Sequence, residues 1–350
     1  MSAHICGDYK TSYKEDMVLF QTTFSKFWII AFIVALYALP PLMGNYVLYV
    51  GNLICIAVIG ALGLNILTGF TGQISLGHGA FIGIGAYASA YLTMKMGFPF
   101  IVALPCSGVV TALFGMIFGI PSLRLKGLYL AIATLAAQFI IEYLMVHMEF
   151  ITNGVLGMMV DSPSIFGFSF DTDLKYFYLT VTLAILATMY AKNIVRTRPG
   201  RAFIAIRDRY ISAEVMGVNL FKYKLMAFGI SSFLAGIAGS LWAHYVTIIT
   251  PEHFTIGVSI EYLAMIIIGG LGHVIGSIYG AIFMVLLPEV LRLISEMLSG
   301  HFPMIVNQFA ALKEGIFGVI IIGFLVYEPD GLAHRWQMIK AYWKLWPFSY

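Results

Sequence analysis

A glycine-rich run of polar side chains, TGFTGQISLGHG, interrupts an otherwise apolar sequence at residues 68–79. Thr71, Gln73, Ser75 and His78 carry its hydroxyl, amide and imidazole groups. Such groups can line a polar pathway or gate, and an imidazole can also carry a proton. Irregular backbone among apolar segments is tolerated where it is buried in protein or faces water. Two interpretations stay open: a pathway element, or a helix break satisfied by neighbouring helices, with His78 as a packing residue.

Three of the charged residues inside apolar segments are considered as functional candidates. An intramembrane carboxylate is a functional candidate because its burial is costly. Glu142 is such a candidate, but it precedes His147 by five residues, so an interfacial carboxylate is the alternative. Glu289 and Arg292 are three residues apart, which places them on one helical face. We interpret them as a structural ion pair.

The sequence predicts no catalytic, cofactor or metal site. It contains no GxxxxGK[ST], HExxH or GxSxG motif. Its three cysteines, Cys6, Cys55 and Cys106, lack the spacing of a metal or redox centre. The Gly-x-Gly run at residues 83–88 has no preceding strand, so close helix packing explains it better than a dinucleotide. The four-residue spacing of Gly79/Gly83, Gly115/Gly119 and Gly272/Gly276/Gly280 likewise predicts tight helix contacts.

The composition predicts an all-α polytopic membrane protein. Of the 350 residues, 60% are hydrophobic and 11% charged, and the mean hydropathy is +0.89. A soluble domain has about 25% charged residues. No basic face suited to nucleic acid is visible. The polar N-terminus has no cleavable signal pattern, so we expect a cytoplasmic leader at 1–26, a transmembrane domain at 27–330 and an interfacial tail at 331–350.

About ten spans are expected within the transmembrane domain. The eighth would rise only about 14 Å, so it is either a short tilted helix or a re-entrant one, and nine spans remain an alternative. The predicted spans are 27–42, 46–67, 80–96, 100–120, 128–147, 176–190, 225–246, 260–268, 277–298 and 304–326.

A basic stretch at 198–224 carries six Lys or Arg residues against Asp208 and Glu214. Basic loops between spans remain on the cytoplasmic side of a membrane. Ten spans place this stretch, the short loop at 121–127 and both termini in the cytoplasm. The acidic segment 149–175 then lies outside, which is consistent with the charge pattern.

Six stretches together resemble the LivM-type permease subunits of ABC importers for branched-chain amino acids, urea and related solutes. The resemblance covers roughly residues 45–335. In chain order the stretches are LTGFTGQISLGHGAFIGIGAYASAYL (67–92), LYLAIATLAAQFIIE (128–142), TNG (152–154), GRAFIAIRDRYISAEVMGVNLFKYKLMAFGISSFLAGIAGSLWAHYVTIITPEHF (200–254), SIEYLAMIIIGGLGHVIGSIYGAIFMVLLPEVLR (259–292) and EPDGL (328–332).

The resemblance implies a bacterial inner-membrane complex that works by alternating access. Its other members would be a homologous LivH-type permease, two cytoplasmic LivG/LivF-type ATPases that bind the ATP, and a periplasmic solute-binding protein. This chain would have no cofactor of its own. Branched-chain amino acids are the first expectation for the solute, and urea or short amides the alternative. The apolar residues 155–159 after Thr152-Asn153-Gly154 depart from the usual family pattern and leave the solute open.

The resemblance also assigns a coupling role to the basic stretch. Residues 213–217, AEVMG, resemble the EAA-x-x-x-G element that inserts into a groove of the ATPase. Apolar side chains along this segment would form the docking surface, and Gly217 would end its helix in a left-handed conformation. The expected coupling residues are Arg201, Arg207, Ala213, Glu214 and Gly217.

Two other classes of function remain as alternatives. A gradient-driven secondary transporter would need a charged intramembrane relay, for which the chain offers only Glu142 and the Glu289/Arg292 pair. A membrane scaffold or sensor would transport nothing.

Overall fold

Long apolar runs fold here into a helical bundle. A computed structural model describes residues 12, 23–122, 125, 127–165, 167–299, 315–316, 318–324, 326–328 and 330–345. The helices are α1 Thr23–Ala38, α2 Asn45–Leu64, α3 His78–Ala90, α4 Phe100–Ser122, α5 Leu128–His147, α6 Glu149–Thr152, α7 Asp173–Arg196, α8 Arg198–Val215, α9 Leu220–Val246, α10 Ile256–Gly269, α11 Val274–Ser299 and α12 Gly331–Leu345.

Shorter elements join these helices. Wider π-helical turns extend α2 through Asn65–Phe70 and α3 through Tyr91–Lys95. Single 3₁₀ turns occur at Pro40–Leu42, Gly154–Leu156 and Pro251–Phe254. The strands are β1 Met158–Met159, β2 Ser164–Ile165, β3 Phe168–Ser169 and β4 Ile248–Ile249. β1 pairs antiparallel with β4, and β2 with β3.

The prediction of an all-α polytopic membrane protein is confirmed. Within the described residues, seven helices are long and apolar enough to cross a membrane, and the shorter Lys26–Ala38 is also apolar. The number of ten spans stays a prediction. The described residues include only part of the leader 1–26, the loop at 121–127 and the span 304–326.

The bundle has two distinguishable ends. The basic end holds α8. There Arg207 lies against Gly72 and Gly272, which belong to the two glycine-rich breaks, the irregular segments 71–77 and 270–273 that separate α2 from α3 and α10 from α11. The opposite end holds the β1–β4 pair and the contact of the π-helical turn after α3 with α6, where Lys95 Nζ donates to Phe150 O over 2.7 Å. The two ends serve as the reference for the direction of each long helix.

Helices α3 and α10 begin inside the bundle. The chain leaves α2 at the basic end and returns in an irregular segment to His78, whose ring contacts the carbonyl of Gly60 within α2. The N-terminus of α10 lies beside that of α3, because Gly79 N donates to Ser259 Oγ over 2.8 Å. The eighth predicted span therefore starts earlier than 260. Its fourteen residues rise about 21 Å, less than a bilayer core of about 30 Å.

Glycines let the central helices touch backbone to backbone, as their spacing predicts. A Cβ on Gly280 of α11 would lie 1.7 Å from Met265 O of α10. A Cβ on Gly239 of α9 would lie 1.9 Å from Ile82 O of α3. Gly272 differs from the helical glycines, because it occupies a turn with φ +74°. Close packing is the physical reason for most of these glycines.

Candidate functional site

The four polar residues of the 68–79 interruption are all buried, at 3% exposure or less. Thr71 Oγ1 donates to Ile66 O over 2.9 Å, which closes its own turn. Gln73 Nε2 donates to Lys224 O at 3.4 Å, whereas Gln73 Oε1 has no partner among the described residues. Ser75 Oγ accepts from Gly77 N at 3.4 Å. Neighbouring helices thus satisfy part of this segment, and one amide oxygen remains unsatisfied.

His78 lies at the first position of α3, deep within the bundle. Its Nε2 is 3.0 Å from Gly60 O, and its ring packs edge-on against Tyr262 with 5.3 Å between centroids. Tyr262 in turn fills the space beside Gly60, where a Cβ would lie 2.5 Å from its Cε1. The three residues close the centre of the bundle between α2, α3 and α10.

A buried junction, not predicted from the sequence, joins the starts of α3 and α10. Gln138 of α5 is fully buried, and its Oε1 accepts from Ala80 N at 2.8 Å and from Ser259 Oγ at 3.0 Å. Its Nε2 donates to Phe254 O over 2.7 Å. One amide therefore satisfies the N–H of Ala80 in the first turn of α3, which has no partner within its own helix, and the carbonyl of Phe254 in the turn before α10. A glutamine inside an apolar helix was the available sequence signal.

A second junction, also not predicted, lies at the basic end. Asn65 of α2 is buried and accepts from Gly272 N at 3.0 Å. Its Nδ2 donates to His273 O over 2.9 Å and to Ser277 Oγ over 2.8 Å. Asn65 thus fixes the loop between α10 and α11 to the end of α2.

The coupling segment forms helix α8, which is kinked at Arg209, where φ is −153° and ψ is 85°. Ala213 is 5% exposed, so it packs against the protein and takes no part in an external surface. The C-terminal end of α8 exposes apolar side chains, with Val215 and Met216 82% and 84% exposed, beside the exposed Glu214. Large exposed apolar side chains at a helix end are suited to contact with another protein.

Gly217 ends α8 as the sequence predicts. Its φ is +85°, and its N–H donates to Glu214 O over 2.9 Å. Val218 N donates to Ala213 O over 2.9 Å, which completes a Schellman motif. The left-handed conformation at this position favours glycine.

Two predicted coupling residues, Arg201 and Arg207, differ in what they contact. Arg201 is exposed, and its Nη1 donates to Arg196 O over 3.3 Å. Arg207 Nη1 donates to Gly69 O over 3.1 Å, and its Nε donates to Asp208 Oδ1 over 2.9 Å. Arg207 therefore bonds α8 directly to the π-helical turn at the end of α2.

A cavity of about 320 Å³ lies between α2, α10 and α11, on the side of Tyr262 nearer the opposite end. Most of its wall is apolar. Its polar or aromatic lining comprises Trp242, His253, Phe254, Glu261, Tyr262 and Glu289.

The predicted pair of Glu289 and Arg292 is confirmed, with Arg292 Nε 3.1 Å from Glu289 Oε2. Tyr46 joins it: its hydroxyl accepts from Arg292 Nη2 at 2.8 Å and donates to Glu289. Glu142 is half-buried on α5. In the part of the chain that the structure describes, no three His, Cys, Asp or Glu residues form a group able to hold a metal ion.

Comparison of the sequence with known proteins points to a single family of permeases. The model of the family "Branched-chain amino acid transport system / permease component" matches residues 46–325. The chain is 31% identical over 335 residues to the high-affinity branched-chain amino acid transport system permease protein LivM of Escherichia coli K12, covering 89% of this chain and 75% of the relative. The corresponding protein of Salmonella typhimurium is 32% identical with the same coverage.

A more distant archaeal relative also matches. A probable branched-chain amino acid transport permease protein LivM of Methanocaldococcus jannaschii is 25% identical over 235 residues, covering 66% of this chain and 67% of the relative. No solved structure gives a significant match. The family model and the two bacterial relatives extend over most of the chain, including both breaks and α8. The chain therefore belongs to the permease component family of branched-chain amino acid transport systems.

Proposed function

We propose that this chain is a membrane-spanning subunit of an ATP-binding cassette importer that moves branched-chain amino acids across a bacterial inner membrane. The observation that carries this proposal is the family match at 46–325, with two LivM relatives aligned over 89% of the chain. The chain would perform no catalysis, and ATP would be bound and hydrolysed by partner subunits.

The proposed complex contains a LivH-type permease, two ATPases of the LivG/LivF type and a solute-binding protein. α8 supports an ATPase contact, because its outward end presents Val215 and Met216 beside Glu214. The Schellman motif at Gly217 holds that end in one conformation. A rigid, apolar and charged projection is well suited to transmit force from a partner.

The proposed orientation places the basic end in the cytoplasm. Six Lys or Arg residues at 198–224 favour that side. The binding protein would then dock at the opposite end, near the loop at 149–175 and the turn Pro251–Phe254. Both termini would be cytoplasmic.

In this mechanism, closure of the ATPases moves α8. Arg207 passes that movement to Gly69 at the end of α2, and the neighbouring Gly272 connects it to the start of α11. The helices around the centre then change from an arrangement open at one end to one open at the other. Access alternates because Tyr262 and His78 close the centre between the two arrangements.

The test is uptake by the assembled complex in liposomes with its binding protein and ATP. We expect ATP-dependent leucine uptake by the wild-type complex. Glu214→Lys and Gly217→Pro should leave the complex assembled but abolish uptake, since one reverses a charge at the docking end and the other cannot adopt φ +85°. Lys340→Glu, a charge reversal on the exposed face of α12, is the matched control.

Normal uptake in both Glu214→Lys and Gly217→Pro would refute the coupling assignment. Leucine uptake by the chain alone, without ATPases, would instead favour a gradient-driven transporter. Solute-independent ATP hydrolysis without any uptake would favour a scaffold or sensor.

A further inference from the structure

We propose that the cavity between α2, α10 and α11 is a stopping place for the solute, and that it takes a small zwitterion with a branched apolar side chain. The inference rests on the proposed transport function and locates the solute within this chain. It differs from the pathway expected from sequence, because the polar residues 71–78 lie beyond Tyr262, away from the cavity.

The wall of the cavity is suited to an aliphatic side chain. Val50 and Leu53 of α2 face Met265 of α10 and Met284 and Val285 of α11 across it. A volume of about 320 Å³ lies at the low end of the roughly 300–1,000 Å³ found for small-molecule sites. That size fits a single amino acid, and the two methionines give an adaptable apolar surface.

The charged groups of the cavity suit the other half of an amino acid. Glu261 of α10 and Glu289 of α11 both line it, so an α-ammonium group would meet carboxylates from two helices. Arg292 pairs with Glu289 at 3.1 Å, which keeps a positive charge beside this wall of the cavity. Charged residues within membrane helices are costly and mark solute pathways. An acyl chain of a lipid would need none of these charges.

The position of the cavity is also that of a stop on an inward path. Val50 lies near the start of α2 and Trp242 near the end of α9, both in the half of the bundle toward the opposite end. Beyond the cavity, Tyr262 packs against His78 and Gly60 and blocks further passage. A solute entering from the opposite end would therefore pause here until the helices move.

The first test fills the cavity. Val285→Trp places an indole in the cavity, whereas Leu286→Trp makes the same change one residue away, on a side chain that does not line it. In the reconstituted complex with its binding protein, we expect Val285→Trp to reduce maximal leucine uptake by about tenfold or more, and Leu286→Trp to retain it. ATPase activity without solute should remain near wild type in both.

The second test locates the solute directly. Photoleucine, a leucine with a photoreactive diazirine, is delivered to the complex and cross-linked, and the labelled peptides are mapped. We expect labels in 253–265 and 284–289 that excess leucine suppresses. Glu261→Gln should weaken labelling by about tenfold, since it removes the charge of one of the two carboxylates that would meet the α-ammonium group. Asp330→Asn, an exposed acid beside the start of α12 that does not line the cavity, should not.

The outcomes separate this inference from the proposed function. If the wild-type complex imports leucine while Val285→Trp and Glu261→Gln keep wild-type uptake and labelling, the cavity is not a solute site, although the function stands. Labels confined to other helices would have the same meaning. If the wild-type complex imports no leucine at all, both proposals fail.

Discussion

At the scale of single residues, Gln138 joins three elements of the bundle through one side chain. Its one amide bonds to α3, to α10 and to the turn before α10. Both helices begin inside the bundle, where water is not available to their first N–H groups. The side chain therefore replaces the solvent that a helix start normally uses.

Gln138→Leu should destabilise the chain strongly. It leaves Ala80 N and Phe254 O buried without their partner, at about 1–3 kcal/mol for each buried polar group. We expect a lower thermal unfolding midpoint of the detergent-solubilised complex. Gln337→Leu, on the exposed face of α12, is the matched control and should leave the midpoint unchanged. Equal midpoints for the two variants would show that the junction is dispensable.

Gln73 and His78 provide a test of the pathway interpretation. Gln73→Leu removes the amide oxygen that has no partner within the described residues, and His78→Phe keeps a ring against Tyr262 but removes the bond to Gly60 O. We expect several-fold slower uptake with normal assembly in each. Thr188→Val, which loses only a bond to Ala184 O within α7, is the control. Unchanged uptake and solute preference in both variants would reduce these residues to packing.

Local features of single residues could be predicted from the sequence, whereas long-range hydrogen bonds could not. The φ of Gly217 and the pairing of Glu289 with Arg292 follow from local spacing, and both were predicted. Gln138 and Asn65 were not, because their partners lie up to 121 and 212 residues away in the sequence. Hydrophobic periodicity carries no information about such distant hydrogen bonds. The polar side chain in an apolar helix was the only local trace of each.

At the scale of elements, the close contact between α10 and α11 depends on a glycine, which has no side chain to hold the backbones apart. A Cβ on Gly280 would lie 1.7 Å from Met265 O, a backbone atom that cannot rotate away. Overpacking of a well-packed interior costs about 1–3 kcal/mol. Because these helices also form the cavity wall, their separation would change the site as well.

Gly280→Ala should therefore reduce both the yield of assembled complex and leucine uptake. Gly229→Ala in α9 is the matched control, since its added Cβ meets only Met116 side-chain atoms at 3.4 Å. Alanine is also the better helix former, by about 1 kcal/mol. Size-exclusion yield and thermal midpoint measure the difference. Wild-type behaviour of Gly280→Ala would contradict close packing of α10 on α11.

Most element positions followed from apolar run length. The fifth predicted span, 128–147, coincides with α5, and 225–246 differs from α9 only at its start. The predicted start of the eighth span at 260 was late, because α10 takes in Ile256-Gly257-Val258-Ser259 after the turn Pro251–Phe254. That turn is held by Gln138 and by the capping of His253 on Thr250, neither of which hydropathy detects.

At the scale of the whole molecule, one side chain joins the segment proposed to receive force to the helices proposed to use it. Arg207 of α8 donates to Gly69 O, and Gly272 of the α10–α11 loop lies beside its Nη1. Asn65 ties that loop to the same end of α2. The two glycine-rich breaks thus meet at one arginine, and both lead to helices that line the cavity.

Arg207→Ala should consequently separate ATP hydrolysis from transport without preventing docking. In this variant the ATPases can still contact Glu214 and the exposed end of α8. We therefore expect the complex to assemble and to hydrolyse ATP. Leucine uptake per ATP should fall about tenfold or more, because α8 can then move without displacing Gly69. Arg207→Lys keeps the charge but not the planar guanidinium, and should restore uptake only in part. Arg335→Ala, which removes an arginine of α12 that bonds to Glu328, is the control and should transport normally. A wild-type ratio of uptake to hydrolysis in Arg207→Ala would mean that force enters the bundle by another route.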